Sequence, residues 1–283
     1  MAIYRSVQRG RIGLGKAALY AAVLAASLVF LYPLIYTLLT SFKTNHEIFT
    51  NYFGLPRAFR FENYMNAWAK GGIGKYFFNT LFVCGVYVVL GILFSTMAAF
   101  VVARLKSAWL NVVFYFIIAG MMIPIHAILI PLAQIAVELD ASDRFSYLIA
   151  IYIAGGIPYM IFVITGFMRS LPAELEEAAV IDGAGLWTLY SRVVLPLAKP
   201  AVSTMAILGF LSSWNDLILA MLFLKKEAVR TLSVGLMSFS GFYTADYAAI
   251  SAAVIIVNIP TIVIYLLLQE YVEKGLTSGA VKG

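Results

Sequence analysis

Long apolar segments follow one another along almost the whole chain, with only short polar stretches between them. A helix needs about 20 mostly apolar residues to cross the hydrocarbon core of a membrane. Six segments reach that length, at roughly 17–39, 77–103, 109–136, 146–168, 200–224 and 248–268. The pattern predicts an all-α polytopic membrane protein with six transmembrane helices.

The composition supports lipid as the solvent of this chain and disfavours several classes of function. Only 12% of the residues are charged, against roughly 25% in an average soluble domain. The net charge of +6 suits basic flanks beside membrane spans better than nucleic-acid binding. One cysteine, Cys84, permits no internal disulfide, and two histidines, His46 and His126, do not make a metal site. The sequence therefore predicts no metal, no cofactor and no catalytic residues.

The GGIGKYF stretch at 71–77 is not a nucleotide-binding P-loop. It lacks the upstream glycine and the Ser or Thr after Lys75 that such a loop uses to bind phosphate and Mg²⁺. Any use of ATP must therefore come from a partner.

The placement of charge predicts the orientation in the membrane. Four bases and no acid precede the first apolar segment, and Lys and Arg accumulate on the cytoplasmic side of membrane proteins. With a cytoplasmic N-terminus, 11 Lys and Arg residues lie inside and 9 lie outside. The first segment is long enough to be an uncleaved span rather than a signal peptide. The predicted organisation is a cytoplasmic tail at 1–16, a transmembrane domain at 17–270 and a cytoplasmic tail at 271–283.

Helix-breaking residues are expected to interrupt three of the spans. Broken helices occur in membranes where neighbouring helices or a water-filled cavity satisfy the freed backbone groups, and they are common around transport pathways. The interruptions are predicted in span three at Pro124 and Pro131, in span four at Gly155, Gly156 and Pro158, and in span six at Pro260 beside Asn258.

The segment 169–199, between spans four and five, is too polar to cross a membrane. Pro172 and the acids that follow it suit the start of a helix, and Gly183 suits a left-handed residue that ends it. A second amphipathic helix is predicted over 186–194. Its apolar face comprises Leu186, Leu189, Tyr190, Val193 and Val194. From the residues alone, the segment is either an interfacial helix or a docking surface for a soluble partner.

The same segment resembles the EAA loop of the permeases of ABC importers, in the carbohydrate (maltose-type) branch. The resemblance rests on Glu177-Ala178-Ala179, Asp182-Gly183-Ala184 and Leu195-Pro196, with Val193 in place of the usual Ile. Further motifs extend it over nearly the whole chain to the shorter permease subunit of such importers. These motifs are Ser41-Phe42-Lys43-Thr44, Glu62-Asn63-Tyr64, Met122-Ile123-Pro124, Ile130-Pro131-Leu132, Trp214-Asn215-Asp216 and the tail 275–283.

The resemblance implies a coupling helix on the cytoplasmic side between spans four and five, which contacts an ATPase. The residues that correspond to it are Glu177, Ala178, Ala179, Asp182 and Gly183. The implied partners are a second permease subunit, usually a different chain, a dimeric cytoplasmic ATPase, an extracytoplasmic solute-binding protein and a sugar substrate. The implied location is the bacterial inner membrane. In the family, the tail 275–283 is a candidate second contact with the ATPase, and the outer loop 225–247 a candidate contact with the binding protein.

Polar residues within the spans are candidates for a substrate pathway, because ionisable groups in membrane helices are costly and usually functional. Asp216 is the clearest of them, and Trp214 and Asn215 beside it offer a ring to stack on a sugar and an amide to bond its hydroxyls. The further candidates are His126, Asn258, Gln134 and Asn79. Each of these residues could instead form hydrogen bonds between helices as part of the packing.

Three other functions remain as alternatives. The importer could carry another solute, such as glycerol phosphate, an amino acid or a peptide. A secondary carrier would need coupling carboxylates within the spans, where Asp216 is the only clear acid. An intramembrane enzyme would need paired His or Asp ligands, which the two histidines do not provide.

Overall fold

The computed structural model describes residues 14–105, 107–237 and 246–280, and this part of the chain is all-helical, without a strand. Its α-helices are α1 (Leu14–Thr40), α2 (Asn45–Thr50), α3 (Glu62–Met65), α4 (Ile73–Arg104), α5 (Ala108–Ala119), α6 (Leu129–Glu138), α7 (Phe145–Arg169), α8 (Glu174–Ile181), α9 (Leu186–Thr188), α10 (Leu195–Leu197), α11 (Lys199–Trp214), α12 (Ile218–Phe223), α13 (Leu232–Met237) and α14 (Tyr247–Ala280). Three 3₁₀ segments lie at Gly120–Met122, Ile125–Ile128 and Glu227–Val229, and two π-helical segments at Asn66–Lys70 and Leu189–Val194. Outside the described residues lie most of the predicted N-terminal tail, the centre of the outer loop at 238–245, and the last three residues of the predicted C-terminal tail.

Four helices, α1, α4, α7 and α14, are long and apolar enough to cross a membrane. Two further candidates are bent pairs of helices. Ala108–Met122 meets Ile125–Glu138 at 83°, and Leu186–Leu197 meets Lys199–Trp214 at 74°. By length and composition, the described chain thus has between four and six candidate spans, and the number depends on whether each bent pair counts as one.

The bend within the predicted third span lies at Pro124. The residue before a proline is excluded from the helical region by the proline ring, and Ile123 is extended, with φ −87° and ψ 111°. Pro124 is itself extended, with ψ 126°, before the chain turns into the 3₁₀ segment Ile125–Ile128. The interruption predicted at Pro124 is confirmed, but the one predicted at Pro131 is wrong, because Pro131 lies in the first turn of α6, where a proline is tolerated.

The interruptions predicted in spans four and six are wrong. Helix α7 runs without a break through Gly155, Gly156 and Pro158, and α14 runs through Pro260. A proline removes one N–H and crowds one carbonyl, which a long helix packed along its neighbours can tolerate. The unpredicted break is in span five, where α11 ends at Trp214 and α12 begins at Ile218.

The main hydrophobic core lies between α4, α7 and α11, with Val83, Leu148, Ile164 and Met205 almost completely buried. A second cluster packs Trp214 against the start of α4 and the small residues Ala252 and Ala253 of α14. Helix α1 contacts α14, and its remaining surface exposes apolar side chains such as Phe30 at 80%. An apolar surface of this kind suits lipid or a partner span rather than water.

The segment after α1 is fixed by the two motifs that the sequence analysis associates with it. The amide of Asn63 donates to the carbonyls of Ser41 (2.8 Å) and Lys43 (2.9 Å). The hydroxyls of Ser41 and Tyr64 are 2.7 Å apart, and the ammonium of the buried Lys43 donates to the carbonyl of Asn51 at 2.7 Å. These contacts satisfy polar groups that would otherwise be buried without partners.

Helix α2 of this segment carries a carboxylate with a lowered pKa. The backbone N–H of Arg57 donates to Oε1 of Glu47 at 2.7 Å. That hydrogen bond favours the charged form and lowers the pKa of Glu47 below its ordinary value, and burial opposes it only in part.

Candidate functional site

The loop between α7 and α11 contains a short helix with a defined end. Helix α8 (Glu174–Ile181) stops where Gly183 takes a left-handed conformation, with φ +85°. The N–H of Ala184 donates to the carbonyl of Ala179 (2.9 Å), and the N–H of Gly183 donates to that of Val180 (3.0 Å). This pair of hydrogen bonds is the Schellman motif, so the helix stop predicted at Gly183 is confirmed.

An ion pair attaches the inner face of α8 to the end of α4. Nε of Arg104 donates to Oε2 of Glu176 at 2.6 Å, and a second guanidinium nitrogen contacts Oε1. The same guanidinium donates to the carbonyl of Met168 at 2.6 Å, at the end of α7. This pair is not predicted from the sequence. The sequence does contain one hint of it: Glu176 and Glu177 are adjacent on a helix, so only one of them can face the bundle and pair with a base there.

The outer face of α8 is uncovered. Glu177, Ala178 and Asp182 are exposed, whereas Ala179 is half-buried against the core. The apolar residues Leu175 and Val180 of the same helix are exposed as well, and Ile181 is 86% exposed. The helix therefore presents a small residue flanked by apolar and acidic side chains, a surface that another backbone can approach closely.

The second predicted helix of the loop packs differently from the prediction. Leu189, Tyr190 and Val194 are buried as expected, and the hydroxyl of Tyr190 lies 2.9 Å from Oγ1 of Thr96. Leu186 was expected on the same face and is instead 63% exposed. The π-helical turn Leu189–Val194 explains the difference, because its wider turn shifts the face that a 3.6-residue period predicts.

A cavity of about 330 Å³, lined by both apolar and polar side chains, lies beside the break between α11 and α12. Asp216 lines it, and Oδ2 of Asp216 accepts from the hydroxyl of Tyr152 (2.8 Å) and the N–H of Ala220 (2.9 Å). The carboxylate therefore accepts hydrogen bonds from N–H groups in the first turn of α12, and its bond to Tyr152 connects the break between α11 and α12 to α7. Other polar lining residues are Tyr87, His126, Ser212 and Ser213.

The structure brings together two of the predicted pathway residues, Asp216 and His126, at this cavity. Trp214 is 1% exposed, and its indole N–H donates to the carbonyl of Val257 at 3.2 Å. The amides of Asn215 and Asn258 each donate at 2.8 Å to a carbonyl of their own helix. None of these three residues lines the cavity.

Two lesser candidates also lie away from the cavity. The amide of Asn79 donates to the carbonyls of Ala228 (3.2 Å) and Arg230 (2.9 Å), which ties the loop after α12 to α4. Gln134 is exposed on α6. Among the residues that the structure describes, no group of three His, Cys, Asp or Glu side chains could hold a metal ion.

Residues 91–278 match the family described as the inner membrane component of binding-protein-dependent transport systems. The chain belongs to this family. The diacetylchitobiose uptake system permease protein NgcG of Streptomyces coelicolor is 32% identical over 92% of this chain and 87% of its own length. The melibiose/raffinose/stachyose import permease protein MelC of Bacillus subtilis is 34% identical over 89% of this chain and 91% of its own length.

The fold of the permease is also similar to that of a solved structure. A chain of a bacterial ABC transporter involved in the import of the acidic polysaccharide alginate matches with a TM-score of 0.81. The match covers 93% of this chain and 99% of that one, at 23% identity. The family makes the permease a membrane transport component of several apolar helices and not an enzyme.

Proposed function

We propose that the permease forms half of the translocation pathway for a sugar or oligosaccharide in an ABC importer. The relatives named as permeases for diacetylchitobiose and for melibiose, raffinose and stachyose support this cargo class. In the proposal, an extracytoplasmic binding protein delivers the sugar, a second permease supplies the other half, and a dimeric cytoplasmic ATPase supplies the energy. The six predicted spans count the bent pair at 108–138 as the third span and α11 together with α12 as the fifth, and both termini are cytoplasmic.

One observation supports the proposed coupling above all others. Helix α8 is attached through Glu176 on its inner face and is uncovered at Glu177 and Ala178 on its outer face. A short helix on a lipid surface alone would bury its apolar side and expose its acids. Here exposed acids such as Glu177 and Asp182 lie beside the exposed apolar side chain of Ile181, a mixed surface that suits contact with a soluble protein.

The attachment of α8 gives the proposed mechanism a mechanical route. Arg104 and Met168 lie at the ends of α4 and α7, whose packing forms the main core. A displacement of α8 by the ATPase would therefore be transmitted to both helices, and through them to the cavity beside Tyr152. Such a rigid-body shift is a common form of transport and switching motion.

For the substrate pathway, we assign cargo contact to Asp216 and His126. Trp214, Asn215 and Asn258 are assigned to the shape of the pathway, because each makes a hydrogen bond to a backbone carbonyl of the bundle. The assignment rests on the cavity, where an ionisable side chain lies at a break in a membrane helix.

Two substitutions test the coupling. Glu177→Arg reverses an exposed charge, and Gly183→Trp places a bulky residue where φ is +85° and the turn would have to change. Both variants are expected to insert normally and to lose most of the ATPase that co-purifies with the complex. Glu138→Arg is the matched control, because Glu138 is also an exposed acid in a helix but lies at the end of α6.

The measurement is the molar ratio of ATPase to permease after purification in mild detergent. The control is expected to retain the wild-type ratio. A wild-type ratio in Glu177→Arg and Gly183→Trp would contradict the proposed docking surface.

A further inference from the structure

We propose that the cavity at Asp216 is a cargo subsite for uncharged, hydroxyl-rich sugar rings and that it rejects acidic sugars. This inference rests on the proposed function and adds a substrate class and a set of contact residues to it. Three observations support it: an unpaired hydroxyl, the charge of the lining, and the space left by a glycine.

The unpaired hydroxyl belongs to Tyr87 of α4. Its side chain is 5% exposed, and its ring packs edge-on against that of Tyr152 with the centroids 5.6 Å apart. Within the described part of the chain, its hydroxyl has no hydrogen-bond partner, although the residue lines the cavity. The hydroxyl keeps some accessible surface at the cavity, so it is open to a hydrogen bond from a ligand. A ligand hydroxyl in the cavity would satisfy it.

Tyr87 and Tyr152 give the cavity the chemistry of a sugar site. Aromatic rings offer an apolar face to a sugar ring, and hydroxyl and carboxylate oxygens bond its hydroxyls. Oδ1 of Asp216 keeps free capacity, since its one hydrogen bond, from the N–H of Leu219, is long at 3.5 Å. The hydroxyls of Ser212 and Ser213 and the imidazole of His126 complete the polar lining.

The charge of the lining sets the selectivity. Asp216 is the one acid among the residues that line the cavity, and neither Lys nor Arg is among them. A uronic acid placed beside Asp216 would bring two carboxylates together in a medium that screens poorly, where like charges repel strongly. Neutral rings avoid this repulsion.

The space is shaped by glycines of α7. A Cβ added at Gly156 would collide with the hydroxyl of Tyr87, so this glycine lets the tyrosine lie against α7. A Cβ added at Gly155 would meet nothing within 4 Å, although Gly155 lines the cavity. Gly155 also lines an adjoining chamber of about 440 Å³, which shares Tyr87 and Ser212 with the first. Both volumes lie near the lower end of the range for small-molecule sites, about 300–1,000 Å³, and suit one ring in each chamber.

Saturation-transfer NMR on the purified complex of both permeases and the ATPase, without the binding protein, detects weak cargo binding. The probes are melibiose, diacetylchitobiose and a disaccharide of alginate. We expect saturation transfer to at least one neutral disaccharide and binding of the alginate disaccharide that is weaker by about tenfold or more. Asp216→Asn is expected to remove most of that difference, and Asn can still accept the N–H groups of α12.

Two further variants test the contact residues. Tyr87→Phe removes only the hydroxyl and is expected to weaken binding of the neutral disaccharide about three- to tenfold. Gly155→Leu is expected to fill the cavity and abolish binding, whereas Gly155→Ala retains it. Protection of the buried Cys84 from thiol reagents shows in each case that the bundle is folded.

Three results would overturn the subsite: no saturation transfer to either neutral disaccharide, wild-type binding in Gly155→Leu, or equal binding of the alginate disaccharide. ATPase content and ATP hydrolysis are measured on the same samples. Loss of the ATPase from the wild-type complex would count against the proposed function itself. If the ATPase content is normal, a failure of sugar binding in the wild type, or unaltered sugar binding in the variants, counts against the subsite alone.

Discussion

Neutralising one partner of the ion pair between Arg104 and Glu176 should destabilise the whole bundle. The two side chains are only 17% and 11% exposed. Breaking a fully buried pair costs about 3–5 kcal/mol, because the remaining charge is left without a partner. Partial contact with solvent reduces that value to about 2–3 kcal/mol, which corresponds to a roughly 30- to 150-fold larger unfolded fraction. Glu176→Gln is the smallest change that produces this effect.

The lone cysteine of the chain provides the assay. Cys84 is buried, so it reacts with a fluorogenic thiol reagent only when the bundle opens on heating. Glu176→Gln is expected to lower the midpoint of that transition by about 4–10 °C. Arg144→Gln is the matched control, because Arg144 and Asp140 form a 2.7 Å pair whose side chains are 57% and 95% exposed. An exposed pair contributes little, and the control should melt close to the wild type.

A double-mutant cycle separates the pair from its surroundings. Arg104→Gln combined with Glu176→Gln should cost less than the sum of the single changes, with a coupling energy of about 1–3 kcal/mol. The reasoning would be refuted if the two effects added fully, or if Glu176→Gln melted like the control Arg144→Gln.

Two further predictions concern other parts of the fold. Gly156→Ala should destabilise the bundle by about 1–3 kcal/mol, because the added Cβ collides with Tyr87, whereas Gly155→Ala should be neutral or slightly stabilising. Equal thiol-reaction midpoints for the two variants would contradict this difference. The lowered pKa of Glu47 means that its charged form stabilises the segment around α2 above the ordinary pKa, and that this stability is lost as the pH falls through the folded pKa. The protection of residues 45–57 against hydrogen exchange, taken relative to the intrinsic exchange rate at each pH, should therefore fall on acidification in the wild type and change much less in Glu47→Gln; identical pH profiles of this protection would show that the hydrogen bond from Arg57 is not responsible.

Local features of the fold could be predicted from the sequence where the cause is itself local. Pro124 fixes the bend of the third apolar segment, because a proline restricts the residue directly before it. Gly183 ends α8, because a left-handed residue there satisfies two carbonyls of the last turn. In both cases, the residue type determines the backbone without help from distant parts of the chain.

The remaining features depend on contacts between distant residues. Whether Pro158 breaks α7 is decided by the helices packed around it, and α7 runs through it unbroken. Glu176 and Glu177 are indistinguishable in the sequence until Arg104, 72 positions away, is known to meet the first of them. Tyr87 carries no sequence signal, because its role depends on the space that Gly156 leaves on a neighbouring helix.

Photo-crosslinking from Ala178 tests most directly whether the outer face of α8 is where a cytoplasmic ATPase docks. Ala178→Cys in a Cys84→Ala background would carry a benzophenone label, and Phe53→Cys, at a side chain that is 78% exposed in the segment after α1, would serve as the control site. The account predicts that illumination of the assembled complex links position 178 to the ATPase and that position 53 does not form this product. Linkage of position 178 only to lipid or to the binding protein would contradict it.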